Sequence, residues 1–201
     1  MLFRSYPRPI TADVWPEWEL ADQRFVEGRP DVLSYVSEPL RADLTVSGDP
    51  IANLFAATTG TDSDWVVKLI DVYPEGYTPD PTLGGFELMI AGEVFRARYR
   101  NSFANPAPLV AGQVTPYAIH LRDRDHTFKQ GHRIMVQIQS TWFPVIDRNP
   151  QHYVPNIYQA VQSDFRPARQ SVYRSARYPS HLALPIATRP AAPPSLPDLP
   201  Q

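Results

Sequence analysis

The stretch Gly60-Thr-Asp-Ser-Asp-Trp-Val-Val-Lys-Leu-Ile-Asp-Val-Tyr-Pro-Glu-Gly76 decides the fold. Successive side chains of a strand point to opposite faces, and from Trp65 to Tyr73 both faces are apolar except at Lys68 and Asp71. A strand of that kind is central and covered on both sides. Thr59-Gly60 ahead of it and Pro74-Glu75-Gly76 behind it are turn chemistry. Asp62 and Asp64 flank Ser63 at its entrance, which raises the question of whether the stretch carries chemistry or only holds a sheet together.

Outward from this strand, short apolar segments recur with turn residues between them. They are Leu44 to Val46, Ile51 to Ala57, Phe86 to Phe95, Thr115 to Leu121, Arg133 to Thr141, Ser171 to Arg174 and His181 to Ile186. Helical periodicity is weak throughout, so the pattern predicts an all-β antiparallel sandwich or barrel. In Arg133 to Ser140 the alternation puts Ile134, Val136 and Ile138 on one face, expected to be mainly buried with Trp65, Val67 and Leu69. Arg133, Met135, Gln137 and Gln139 share the other face.

The chain has 201 residues, a size that one all-β sandwich reaches, and its 4 Trp, 10 Tyr and 9 Phe supply a sizeable core. Its 19 basic and 21 acidic residues nearly cancel, without a Lys/Arg block that would follow phosphates, so nucleic acid is not an expected partner. A membrane is not expected either. No apolar run approaches the ~18 residues of a spanning helix, and Met1 to Ile10 lacks the apolar region of a signal peptide. The absence of cysteine excludes disulfides, thiolate zinc sites and a cysteine nucleophile, but it leaves the compartment open. Prolines number 23 and gather at the two ends. Residues 1–17 read as an extended linker, 18–187 as the folded domain, and 188–201 as a disordered Pro-rich tail.

Each candidate for chemistry has a plainer reading. Asp62 and Asp64 resemble the start of a calcium loop, but Trp65 and Val66 follow where oxygen ligands are needed, so a turn role is expected. A serine hydrolase of the nucleophile-elbow type needs G-x-S-x-G, which is absent, and neither Ser47 nor Ser63 has its leading glycine. In His120-Leu-Arg-Asp-Arg-Asp-His126, neighbouring residues of a strand diverge, so the run reads as a solvated strand end with local ion pairs. His120, His126, His132, His152 and His181 lack helical i, i+4 spacing for zinc. No catalytic residue, metal or cofactor is therefore expected in this chain. Trp65 reads as core, while Trp15, Trp18 and Trp142 are interface candidates. The loop Ser140-Thr-Trp-Phe-Pro-Val-Ile-Asp-Arg-Asn-Pro150 mixes aromatic and polar groups, and its Trp142, Phe143, Asp147, Arg148 and Asn149 are the candidate docking residues.

Several long segments together carry a resemblance. Asp22-Gln-Arg-Phe-Val-Glu-Gly-Arg-Pro-Asp-Val-Leu33, the stretch from Thr61 to Pro74, Phe95-Arg-Ala-Arg-Tyr-Arg100, His126-Thr-Phe-Lys-Gln-Gly-His-Arg133 and Phe143-Pro-Val-Ile-Asp-Arg-Asn-Pro150 stand in order. Over residues 18–187 the chain resembles the C-terminal jelly-roll domain of α-amino acid ester hydrolases. These are grouped with glutaryl-cephalosporin acylases, cocaine esterase and X-Pro dipeptidyl-peptidases in one serine hydrolase superfamily.

The resemblance implies a jelly-roll β-sandwich of two antiparallel sheets, similar to galactose-binding domains. It also implies that the Ser, Asp and His of the triad belong to an α/β-hydrolase domain with no matching positions here. The expected function is a non-catalytic C-terminal domain of an ester or amide hydrolase. Such a chain would be a fragment or a separate subunit whose partner is the catalytic domain, with any oligomer formed through that partner. The alternative is a stand-alone ligand- or carbohydrate-binding sandwich, which would display exposed aromatics in a groove.

Overall fold

The computed structural model describes residues 21–187. The expected linker at 1–17, the tail at 188–201, and Trp15 and Trp18 lie outside the described residues. Twelve strands occur among those described: β1 Val32–Val36, β2 Leu44–Gly48, β3 Ile51–Thr58, β4 Asp64–Val72, β5 Glu87–Arg96, β6 Thr115–His120, β7 Arg124–Phe128, β8 Arg133–Gln139, β9 Gln170–Val172, β10 Arg174–Ser175, β11 Tyr178–Pro179 and β12 His181–Ala183. Between them lie only short 3-10 turns, so the all-β reading holds.

The first sheet runs β1-β8-β4-β5 and every pairing is antiparallel. As its sequence requires, β4 lies in the interior of this sheet. The second sheet runs β12-β3-β6, with β9 following β12 along the same side of β3, since Ala56 pairs with Thr115 on one side and Val172 on the other. Two ribbons, β2-β7 and the hairpin β10-β11, complete the architecture. Strands β1 and β7 are not legible from alternation. The first is half exposed, and the second lies in the polar run that reads as a strand end.

Between the sheets, Trp65, Val67 and Leu69 of β4 pack with Ala52, Leu54 and Ala56 of β3 and Tyr117 and Ile119 of β6, all buried. The Trp65 and Tyr117 rings meet with centroids 5.8 Å apart. On β8 the inner face packs against this core to different depths. Ile138 is buried, but Ile134 and Val136 are only partly buried, because β8 faces the inter-sheet space near its open side, where Val136 lines a cavity. Its opposite face is not solvated either: Met135, Gln137 and Gln139 are all buried.

A polar cluster explains that second burial. Lys68 of β4 is fully buried on the outer face, directly across from Gln137. Its Nζ donates to Gln23 Oε1 at 2.7 Å and lies over the rings of Phe25 and Trp142 at 5.8 and 5.5 Å. Gln137 Nε2 in turn donates to Glu87 Oε2 at 3.4 Å. The segment 22–27 and the Trp142 ring thus cover the face. Burial lowers the Lys68 ammonium to about 7, with the nearby Arg29 charge acting in the same direction.

Candidate functional site

The loops 59–63, 97–114 and 140–169 all leave the same end of the two sheets, since Asp64 pairs with Arg96, Val66 with Gln139 and Thr58 with Gln170. The short stretch Thr61 to Asp64 holds these loops together. Asp62 is fully buried; its Oδ1 accepts from the Ser63 amide at 2.9 Å, as a turn aspartate does, while its Oδ2 accepts from Arg98 Nε at 2.9 Å and Nη2 at 2.5 Å. Arg98, itself buried, stacks over Tyr153 at 4.8 Å. Asp64 Oδ1 accepts from Asn149 Nδ2 at 2.9 Å, and the Thr61 amide and carbonyl bond to Gln151 O and the Leu109 amide.

The turn reading of Asp62 and Asp64 is therefore too small. Ser63 bonds within the turn, but each carboxylate also fixes a loop distant in sequence, 36 residues away through Arg98 and 85 through Asn149. Burial raises Asp64 to about 6, against the opposing pull of Arg96 and the Asn149 hydrogen bond. This is the chemistry of a scaffold. The partners Arg98 and Tyr153 escape sequence reasoning because no periodicity relates them to Asp62. The nearest signal is the segment Phe95 to Arg100, which carries resemblance without revealing a role.

The docking candidates divide by burial. Trp142 is 6% exposed and lies against Gly92 of β5, where an added Cβ would fall 2.8 Å from Trp142 Cη2. Asn149 is also buried, as the partner of Asp64. Phe143 is 39% exposed and Asp147 is exposed. Arg148 does not pair with Asp147; its guanidinium lies between the rings of Phe143 and Phe165, 5.5 and 5.0 Å from their centroids. Of the eight large hydrophobics exposed among the described residues, Phe103, Val110, Phe143, Tyr158 and Val161 are on these loops. These five side chains share the end of the sandwich from which the loops emerge.

The remaining candidates are placed by local bonding. Ser63 is buried, with its hydroxyl donating to the Asp64 carbonyl at 3.3 Å. His120 meets Asp49 at 2.5 Å on the surface, as a strand-end pair should. His126 departs from that reading: its Nε2 bonds Asp71 Oδ2 at 2.9 Å, while His132 Nδ1 bonds Asp71 Oδ1 at 2.8 Å, so one buried carboxylate bridges two imidazoles. Its neighbour Asp125 points away to solvent. Among the described residues no group of three or more His, Asp or Glu side chains is arranged to hold a metal ion.

Residues 9–183 match the family of X-Pro dipeptidyl-peptidase C-terminal non-catalytic domains. The chain belongs to that family. It is 34% identical over 169 residues to cocaine esterase of Rhodococcus sp. (strain MB1 Bresler), which covers 84% of this chain and 28% of that protein. A putative serine esterase of Mycobacterium tuberculosis (strain CDC 1551 / Oshkosh) is 28% identical over 163 residues, covering 77% of this chain and 24% of its own length. The structure superimposes on an α-amino acid ester hydrolase with a TM-score of 0.89 and 49% identity, covering 92% of this chain and 31% of that one. An aminopeptidase from a marine sediment archaeon, Thaumarchaeota archaeon, gives 0.90 and 46% over the same shares.

This X-Pro dipeptidyl-peptidase C-terminal domain thus spans less than a third of the length of those relatives. It is a non-catalytic domain of larger hydrolases whose catalytic domain lies elsewhere, and the jelly-roll assignment from sequence stands.

Proposed function

We propose that this domain completes a serine ester or amide hydrolase by docking onto its α/β-hydrolase domain through the loop end anchored at Asp62 and Asp64. The observation that carries this reading is the group of exposed apolar side chains on loops whose roots are fixed by buried ion-pair and hydrogen-bond contacts. Rigid roots lower the ordering cost of binding, and exposed aromatics gain most from being covered. Phe143 and Tyr158 are the anchors in this proposal, Asp147 and Arg148 supply directional polar contacts, and Trp142 and Asn149 set the loop's shape from beneath.

A carbohydrate-binding role is less well supported, because the two described tryptophans, Trp65 and Trp142, are 1% and 6% exposed and offer no stacking platform. The test is binding of this chain to a separately expressed hydrolase domain from the same genomic neighbourhood. Phe143→Ala and Tyr158→Ala should each weaken the complex by about tenfold, in the range of interface anchors. A complex that tolerates both substitutions, or the failure of any complex to form, overturns the proposal.

A further inference from the structure

On the side of the sandwich away from β5 and β6, the two sheets stand apart around a cavity of about 250 Å³. Its wall is hydrocarbon from both sheets: Tyr35 and Val136, with Ile138, on one side, and Leu54, Val172 and Leu182 on the other. Three polar residues, Arg174, Ser180 and His181, also line it, and among the described residues no acidic side chain does.

These polar groups are arranged for an anion. Arg174 is exposed and lies over the Tyr35 ring at 4.8 Å, and among the described residues no carboxylate reaches it as a salt-bridge partner. Ser180 Oγ already accepts from the Phe55 amide at 2.8 Å, which leaves its own proton to donate. His181 Nδ1 donates to the Pro179 carbonyl at 2.8 Å, so its orientation is fixed. A planar guanidinium without an acidic partner and a hydroxyl with a proton to donate, lining one cavity, suit a carboxylate.

We infer that this inter-sheet cavity binds a compact apolar monocarboxylate, its hydrocarbon between Leu54, Val136 and Val172 and its carboxylate at Arg174 and Ser180. A dry cavity of roughly 150 Å³ accommodates benzene, so this larger one has room for a chain of about six to eight carbons. Apolar walls with few convergent polar groups are the usual make-up of a small-ligand site. This site is separate from the loop end and does not depend on the docking proposal.

The experiment is a titration of the 201-residue chain with octanoate and with 1-octanol, followed by methyl NMR of the Leu, Val and Ile side chains. Octanoate should shift Leu54, Val136, Val172 and Leu182 saturably and bind at least about fivefold more tightly than the alcohol. Arg174→Gln should erase that preference while leaving alcohol binding in place. Val172→Phe, which fills the cavity from the short strand β9, should abolish both, with its thermal unfolding transition showing that the chain remains folded. The inference is overturned by absence of saturable shifts, by equal affinity of the two probes, by shifts confined to loops 97–114 and 140–169, or by expulsion of octanoate when the hydrolase domain binds. The last result would make the cavity an interdomain contact.

Discussion

Gly92 is a glycine because Trp142 rests on it. A Cβ at that position would lie 2.8 Å from Trp142 Cη2 and 3.2 Å from Met89 Sδ, well inside van der Waals contact. Gly92→Ala should therefore lift the indole from the sheet and destabilise the domain by roughly 1–3 kcal/mol, the usual range for overpacking. The measurement is urea unfolding together with solvent exchange of the Trp142 indole N–H. Trp142→Phe in the Gly92→Ala background, which shortens the ring, should recover most of the loss; no recovery would mean that the strain lies elsewhere.

The second expectation concerns Asp62 and Arg98, whose side chains are 0% and 3% exposed. Removing one member leaves an uncompensated buried charge, so Arg98→Met should cost roughly 3–5 kcal/mol. Asp62→Asn with Arg98→Met removes both charges and should cost markedly less than the single Arg98 change. A double-mutant cycle by chemical denaturation reads this directly. If the two substitutions are simply additive, the pair is not the fastener of loop 97–114.

How far the sequence disclosed this arrangement depends on the range of the interactions. Strand β4 is legible because its alternation is local, and Trp65, Val67 and Leu69 lie where a doubly covered strand puts them. The polar face of β8 is misleading, since Gln137 and Gln139 look solvated until the segment 22–27, far away in sequence, and the Trp142 ring just beyond the strand cover that face. Asp62 and Asp64 are recognisable as turn residues through Ser63, but nothing in the chain's periodicity names Arg98 or Asn149. The docking loop shows its composition and not its burial: aromatic content attracts attention to Trp142, whereas Phe143 is the ring left outside.

Asp64 provides a pH-dependent test. Burial raises its carboxyl to about 6, above its ordinary value of 3.8. A carboxyl whose folded pKa is raised binds its proton more tightly in the native state. Its contribution is thus most favourable below about pH 3.8 and is lost as pH climbs through 6. Asp64→Asn keeps an oxygen for the Asn149 amide and removes the charge. Relative to wild type, the variant should gain roughly 2 kcal/mol of unfolding free energy between pH 4 and pH 7.5. Urea midpoints at the two pH values measure it. An equal difference at both would show that the carboxylate is not penalised by burial.

Lys68 gives the sharpest separation of charge from packing. Its folded pKa falls from 10.5 to about 7 because the ammonium is desolvated, so the unfolded chain holds this proton more strongly over that interval. The cost of burial is accordingly full below about pH 7, declines as pH rises and disappears near 10.5. Lys68→Met alone leaves Gln23 Oε1 buried without its donor, a penalty of roughly 1–3 kcal/mol that conceals the gain. Lys68→Met paired with Gln23→Leu removes both polar ends and keeps the hydrocarbon against Phe25 and Trp142. The double variant should be more stable than wild type by roughly 2–4 kcal/mol at pH 6, with most of the advantage gone by pH 10. Urea unfolding of the two proteins across this range decides the matter. A stability advantage that stays constant with pH would assign the effect to packing, and a variant less stable at every pH would show that the hydrogen bond to Gln23 outweighs the desolvation of the ammonium.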